Sequence, residues 1–152
     1  MVANIVIRPA LLFEKSVLEA LQWRASLSNP GDREALLANP DAIDLPAEQI
    51  AGGHVFVAEV GSWIRGFAAI VPREDGDADL DALFVEPSLW RSGVGRALID
   101  HCGATARARG SIALHVVGNP HAEGFYAACG FERLGTTATR FGVGLQMRKP
   151  LS

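Results

Sequence analysis

Leu80-Asp81-Ala82-Leu83-Phe84-Val85-Glu86-Pro87-Ser88-Leu89-Trp90-Arg91-Ser92-Gly93-Val94-Gly95-Arg96 reads as strand, loop and helix start. Leu80 to Val85 is mostly apolar, and Glu86-Pro87 stops it. From Val94 the apolar spacing turns helical: Val94, Leu98, His101, Cys102, Thr105 and Ala108 recur at three and four. Between the two lies Arg91-Ser92-Gly93-Val94-Gly95. Its two glycines let the backbone approach a ligand without Cβ clashes. The first N–H groups of a helix are unpaired donors at the positive end of its dipole. Such a place binds phosphate, and Arg91 and Arg96 add charge.

Gly-x-Gly also occurs at helix starts that bind nothing. A dinucleotide-binding Rossmann loop needs a third glycine or alanine three places after Gly95, and Leu98 stands there. A Walker A loop needs Gly-Lys-Ser/Thr, which the chain lacks.

A second stretch adds to the first: Asn119-Pro120-His121-Ala122-Glu123-Gly124-Phe125-Tyr126-Ala127-Ala128-Cys129-Gly130-Phe131. Together the two resemble the GCN5-related N-acetyltransferase (GNAT) family. The family's acetyl-CoA loop has the form Gln/Arg-x-x-Gly-x-Gly/Ala. Its later motif has an Asn, a Tyr seven residues on, then Gly-Phe. Gly93, Gly95, Asn119, Tyr126, Gly130 and Phe131 match in order and spacing. One position departs: Trp90 stands at the Gln/Arg place, with Arg91 one residue late. The departure touches a side-chain contact to phosphate, not the backbone amides.

Length and composition set bounds of their own. The 152 residues suit one domain, residues 1–152, with a proper core. Apolar residues at 49% and charged residues at 20% indicate a folded globular chain rather than a disordered one. A net charge of −3 with no Lys/Arg cluster argues against a nucleic-acid partner. No apolar run approaches the roughly 18 residues of a membrane span. Met1 to Arg8 lacks the basic and apolar regions of a secretory signal. The two cysteines, Cys102 and Cys129, form no metal spacing. The expected location is cytoplasmic.

In chain order, Asn4 to Arg8 alternates as a strand. Leu11 to Arg24 reads as an amphipathic helix with Phe13, Val17, Leu18 and Leu21 on one face. Ser28-Asn29-Pro30-Gly31-Asp32 is turn chemistry. A short helix, Arg33 to Ala38, is cut by Asn39-Pro40; a loop follows, then a helical turn over Pro46 to Ala51. His54 to Val60 and Trp63 to Val71 form a hairpin about Gly61-Ser62, and Arg73 to Asp79 is a polar loop. After the central helix, Gly110 caps and Ile112 to Val117 suits a strand buried on both faces. The helix of Tyr126, a strand near Glu132 to Thr137 and a half-buried strand over Gly142 to Lys149 complete the chain. The order is β-α-α-β-β-β-α-β-α-β-β, a mixed α/β fold. The resemblance implies the finer picture: a mixed, mostly antiparallel sheet flanked by helices, whose fourth and fifth strands splay apart. The pantetheine arm of CoA would fill that gap like an added strand.

The implied function is acetyl transfer from acetyl-CoA to a primary amine by direct attack in a ternary complex, without a metal. The acceptor is expected to be a small-molecule or peptide amine, and a homodimer is left open. The implied CoA contacts are Phe84, Val85, Arg91, Ser92, Gly93, Val94, Gly95, Arg96, Asn119 and Tyr126. Tyr126, the chain's only tyrosine, would serve the leaving thiolate, though it also reads as a core aromatic beside Phe125 and Phe131. Asn119 also reads as a helix cap. The base is sought in Asp81 and Asp79, then Glu86; the alternative is a solvated strand entry of Asp77, Asp79 and Asp81. His115 reads as a cleft histidine or a strand residue, and Trp23, Arg24 and Trp63 as an acceptor pocket or as packing. Two other functions compete: a CoA-binding sensor of the same fold and a nucleotide-binding module.

Overall fold

The computed structural model describes residues 4–29 and 32–152. Strands β1 (Ile5–Pro9), β2 (Val55–Val60), β3 (Trp63–Pro72), β4 (Ala78–Val85), β5 (Ala113–Gly118), β6 (Glu132–Thr139) and β7 (Gly142–Pro150) form one sheet. Its order is β1-β2-β3-β4-β5-β7-β6. The helices are α1 (Lys15–Leu27), α2 (Arg33–Ala38), α3 (Ala47–Ala51), α4 (Val94–Ala108) and α5 (Glu123–Ala128). The stretch read as a helical turn is therefore a third helix, α3, before β2. The Pro30-Gly31 part of the expected turn lies outside the described residues.

The pairs β1–β2, β2–β3, β5–β7 and β6–β7 are antiparallel. β4 and β5 are parallel and pair only at Ala78↔Leu114 and Asp79↔His115. The ladder stops there although β4 continues to Val85 and β5 to Gly118. That short ladder is the splay that the resemblance implied.

Backbone proximity groups the chain into two compact halves, 1–69 with 82–98 and 70–81 with 99–152. In the first half, Leu18, Leu21, Leu45, Ile50, Val57 and Phe67 lead the core, with Ala82 and Phe84 of β4 packed on it. Helix α1 buries Leu18 and Leu21 of the face its sequence suggests, but not Phe13 and Val17. Phe13 is 79% exposed and Val17 50%, while Leu18, Leu21 and Ala25 are buried. Glu14 of the 3₁₀ turn Leu12–Glu14 is buried in line with them, so the stripe Glu14, Leu18, Leu21 and Ala25 recurs at four, three and four and leaves Phe13 and Val17 at its edge.

Glu14 locks that entry. Its Oε1 accepts from the Leu11 N–H at 2.8 Å and from Arg8 Nη1 at 3.0 Å, and its Oε2 accepts from Arg8 Nη2 at 2.7 Å. This is half of a capping box joined to a bidentate ion pair. The Arg8 guanidinium holds the Glu14 carboxyl below its ordinary value against the opposing effect of burial. Arg8 also reaches Glu59 of β2 at 2.8 Å.

In the second half, Asp77 ties the loop before β4 to the start of β5. Its Oδ1 accepts from Ile112 N and Ala113 N at 3.1 and 3.2 Å, and its Oδ2 lies 2.9 Å from His115 Nε2. Strand β5 is not buried on both faces throughout: Ala113, Leu114 and Val116 are buried, but Ile112 and Val117 are 67% and 54% exposed. On α4 the buried stripe is Val94, Leu98, Ile99, Cys102 and Ala106, and Ala108 is exposed in the last turn.

Replacing Glu14 by alanine leaves the Leu11 N–H and one edge of Arg8 without their acceptor. The expected loss is about 2 kcal/mol, read from urea denaturation. Because the native carboxyl titrates below the ordinary 4.5, its stabilisation is complete above that pH. It fades as pH falls through the lower native value, so the gap between parent and variant should shrink in acid.

Candidate active site

The loop after β4 is held by its own side chains and by β3. The Glu86 N–H donates to the Arg65 carbonyl at 2.8 Å. The Glu86 carboxylate takes both Nε and Nη2 of Arg24, at 2.8 and 2.7 Å. Arg24 holds that carboxyl below its ordinary value. Glu86, the third candidate base, is thus committed to an ion pair, and Arg24 is half of that pair rather than a pocket wall. A 3₁₀ turn over Pro87–Leu89 follows, closed by Leu89 N to the Glu86 carbonyl at 2.8 Å.

Trp90 then explains the one departure from the family pattern. Its indole Nε1 donates to the Val85 carbonyl at 2.8 Å, bridging the two ends of the loop. Ser92 Oγ donates to the Leu89 carbonyl. The backbone passes through two left-handed residues, Arg91 (φ 64°) and Gly93 (φ 94°), before α4 begins at Val94. A Cβ at Gly93 would meet nothing within 4 Å, so the glycine is needed for its φ and not for space. Arg91, Gly93 and Arg96 are exposed, and Val94 is fully buried beneath them. The result is an exposed helix start with two arginines beside its N–H groups, which fits a pyrophosphate.

Gly66 of β3 lets that helix start come close. A Cβ there would lie 3.1 Å from the Phe84 carbonyl and 3.2 Å from Val94 Cγ1 and Leu98 Cδ1. The Phe84 ring stacks on Phe67 with centroids 5.6 Å apart, and the Val85 side chain is buried.

The second motif is built around Tyr126 on α5. Its ring is buried between Phe125 (centroids 5.3 Å, 65° between planes) and Phe131 (5.4 Å, 77°). Among the described residues, none offers a hydrogen-bond acceptor to its hydroxyl. Burial pushes the phenol up to about 12, with the Cys129 side chain adding to it. The group therefore stays protonated across the neutral range. Asn119 Oδ1 accepts from His121 N at 2.9 Å and caps the turn that leads into α5.

The acidic residues before and within β4 separate into different roles. Asp75 and Asp79 share Arg73, with Asp79 Oδ1 at 2.8 Å from Nη1. Asp77 and His115 form the tie described above, so His115 is a partner to Asp77. Carboxylate and imidazole atoms of Asp75, Asp77 and His115 lie within 4.8 Å of one another. Arg73 and backbone N–H groups already occupy the carboxylates there, so the group reads as a hydrogen-bond lock. Asp81 is exposed on the same strand face as Asp79. Cys102 is buried on α4, and burial pushes its thiol up to about 12, which makes it unreactive. Two positions that the motifs do not mark, Gly66 and Gly118, lie against Val94 and Tyr126 respectively. A glycine inside an apolar strand run is the signal that could have found Gly66 and Gly118.

No curated protein matches the chain. Among solved structures, the chain is similar to a GCN5-related N-acetyltransferase from Rhodopseudomonas palustris, at 23% identity and a TM-score of 0.78, over 99% of this chain and 98% of that one. It is similar to the PaiA N-acetyltransferase of Thermoplasma acidophilum, solved in complex with coenzyme A, at 16% identity and a TM-score of 0.77, over 97% and 99%. It is also similar to YncA from Salmonella typhimurium, solved with acetyl-CoA, at 18% identity and a TM-score of 0.70, over 99% and 95%. A family model described as an acetyltransferase (GNAT) domain matches residues 51–133, more than half of the chain. With that match and the fold shared nearly end to end, the chain belongs to the GCN5-related N-acetyltransferase family.

Proposed function

We propose that the protein transfers the acetyl group of acetyl-CoA to a primary amine of a small molecule or peptide. The observation that carries this reading is the loop from Trp90 to Arg96. It pairs two left-handed residues with an exposed α-helix start and two surface arginines. The relatives solved with CoA and acetyl-CoA support the choice of donor.

The amides of Ser92 to Arg96 take the pyrophosphate, with Arg91 and Arg96 adding charge. Main-chain groups of Phe84 and Val85, with Asn119, take the pantetheine arm. Acetyl-CoA supplies an activated acyl carbon. The amine nitrogen forms a C–N bond to it, and the C–S bond breaks with its electron pair left on sulfur. The Tyr126 hydroxyl donates a hydrogen bond to that departing sulfur, and the proton lost by nitrogen passes to Asp81, to Asp79 or to water. Tyr126 and the aspartates are assigned from the family pattern and from local geometry.

The loop assignment is tested at Gly93. Valine at φ 94° is strained whatever the space around it, so Gly93→Val should distort the amides and weaken acetyl-CoA binding at least about tenfold by calorimetry. Parental affinity in that variant would move the phosphate site elsewhere.

Tyr126→Phe removes one hydroxyl from a ring that keeps its packing. Folding and CoA affinity should hold, while turnover falls by roughly 10²-fold. A variant that keeps full turnover returns Tyr126 to the role of a core aromatic. Binding of CoA with no acetyl transfer across a broad amine panel, analysed by mass spectrometry, would favour the sensor reading instead.

The rate should rise with pH, because an alkylammonium of pKa about 10 must lose its proton before it attacks. Asp81→Asn and Asp79→Asn keep side-chain shape and remove charge. The rate should fall in Asp81→Asn across the pH range measured. Two unaltered profiles would assign deprotonation to solvent and leave catalysis to positioning.

A further inference from the structure

Gly118, the last residue of β5, has no role in the family pattern quoted above, yet it stands against the proposed hydrogen-bond donor. It is buried and pairs with Leu145 of β7. Its φ lies outside the left-handed range, so its backbone would accept any L-residue. Space is what excludes a side chain. A Cβ at Gly118 would lie 2.8 Å from Tyr126 Cε2, 3.1 Å from Cδ2 and 3.8 Å from Cζ. The closest of these atoms is bonded to the carbon that carries the hydroxyl. The ring cannot simply slide away, because Phe125 and Phe131 meet it edge to face. Asn119, the next residue, fixes the start of the turn into α5.

We propose that Gly118 is a positioning residue: its missing side chain sets where the Tyr126 hydroxyl stands. The proposal deepens the reading of Tyr126 as donor to the leaving sulfur and rests on it. A ring pressed against main chain on one side and edged by two aromatics on others has few positions open to it. Because the phenol makes no hydrogen bond among the described residues, van der Waals contact is what aims it. A methyl group at residue 118 would displace the hydroxyl by a fraction of an ångström or more, and misplacement on that scale is costly to a reacting group.

The experiment is a set of variants read by kinetics and by NMR. Gly118→Ala should lower kcat about tenfold or more while the KM for acetyl-CoA stays within about twofold. In the Tyr126→Phe background the same change should cost nothing further, since the ring still meets the methyl group but no hydroxyl remains to misplace. Losses that add would make Gly118 a purely structural residue and overturn the proposal. Since Tyr126 is the only tyrosine, ring-¹³C labelling gives a single set of tyrosine signals. These should shift in Gly118→Ala without acetyl-CoA present, and an unmoved signal with parental kcat also overturns the proposal. If Gly118→Ala folds poorly, its thermal stability is compared with that of Gly118→Ala combined with Tyr126→Leu, which removes the opposing ring edge. The damage should be relieved there; equal damage shows that something other than the ring excludes the side chain. Full turnover of Tyr126→Phe would sink the donor role itself, and the tyrosine signal would still decide the placement.

Discussion

A helix start that offers bare N–H groups to a ligand cannot hold itself in place with those groups, so it has to be gripped from behind. In this chain the grip begins at the Val85 carbonyl, which accepts from the Trp90 indole. The bond closes the end of β4 onto the end of its loop. Ser92 adds a second tie to Leu89, and Glu86 adds a third through Arg24 and the Arg65 carbonyl. Each hydrogen bond contributes only about 1 kcal/mol, and the ion pair is discounted because half of Arg24 faces solvent. Their value lies in convergence on a few residues, which leaves the left-handed φ of Arg91, disfavoured for a residue with a side chain, little room to relax. Trp90 thus takes a structural task at a place where the family pattern has a polar side chain, and Arg91 stands exposed one residue on.

The same economy of polar groups runs through the acidic stretch. Asp75, Asp77 and Asp79 look alike in the sequence, and their surroundings separate them. Asp77 receives two backbone N–H groups and His115, and His115 is the leading cause that holds its carboxyl below the ordinary range. Asp75 and Asp79 share one arginine. Asp81, two residues further along β4, is exposed.

Most of the fold was legible because its signals are local. The run from Leu80 to Arg96, the Gly61-Ser62 hairpin and the Gly110 cap each carry their own punctuation. The inward faces were less legible. Phe13 and Val17 sit at helical spacing with Leu18 and Leu21, but the buried stripe runs Glu14, Leu18, Leu21 and Ala25 and leaves them at its edge. Val117 continues an apolar run yet is exposed, because a run of uniform apolarity does not state where burial ends. Within the site, the spacing of Gly93, Gly95, Asn119 and Tyr126 was visible. The roles of Trp90, Gly66 and Gly118 were not, since each depends on a neighbour distant in the chain or on a side chain's direction. Periodicity carries no such information.

The phenol's own acidity limits what Tyr126 can do. Burial disfavours the phenolate and pushes the phenol up to about 12. Full proton transfer to a departing thiolate would place that disfavoured charge on the phenol. A hydrogen bond from the neutral hydroxyl carries no such penalty. It strengthens as charge gathers on sulfur, in an environment that screens it poorly. In the proposed reaction the tyrosine is therefore suited to stabilising the leaving group by a hydrogen bond, and the thiolate can draw its proton from water after it has left. This places a premium on distance and direction, because a hydrogen bond weakens steeply when misaligned. Proton transfer through an intervening water would tolerate such an error. A donor that works by alignment needs a fixed ring, and three contacts supply it: Phe125, Phe131 and the bare backbone of Gly118.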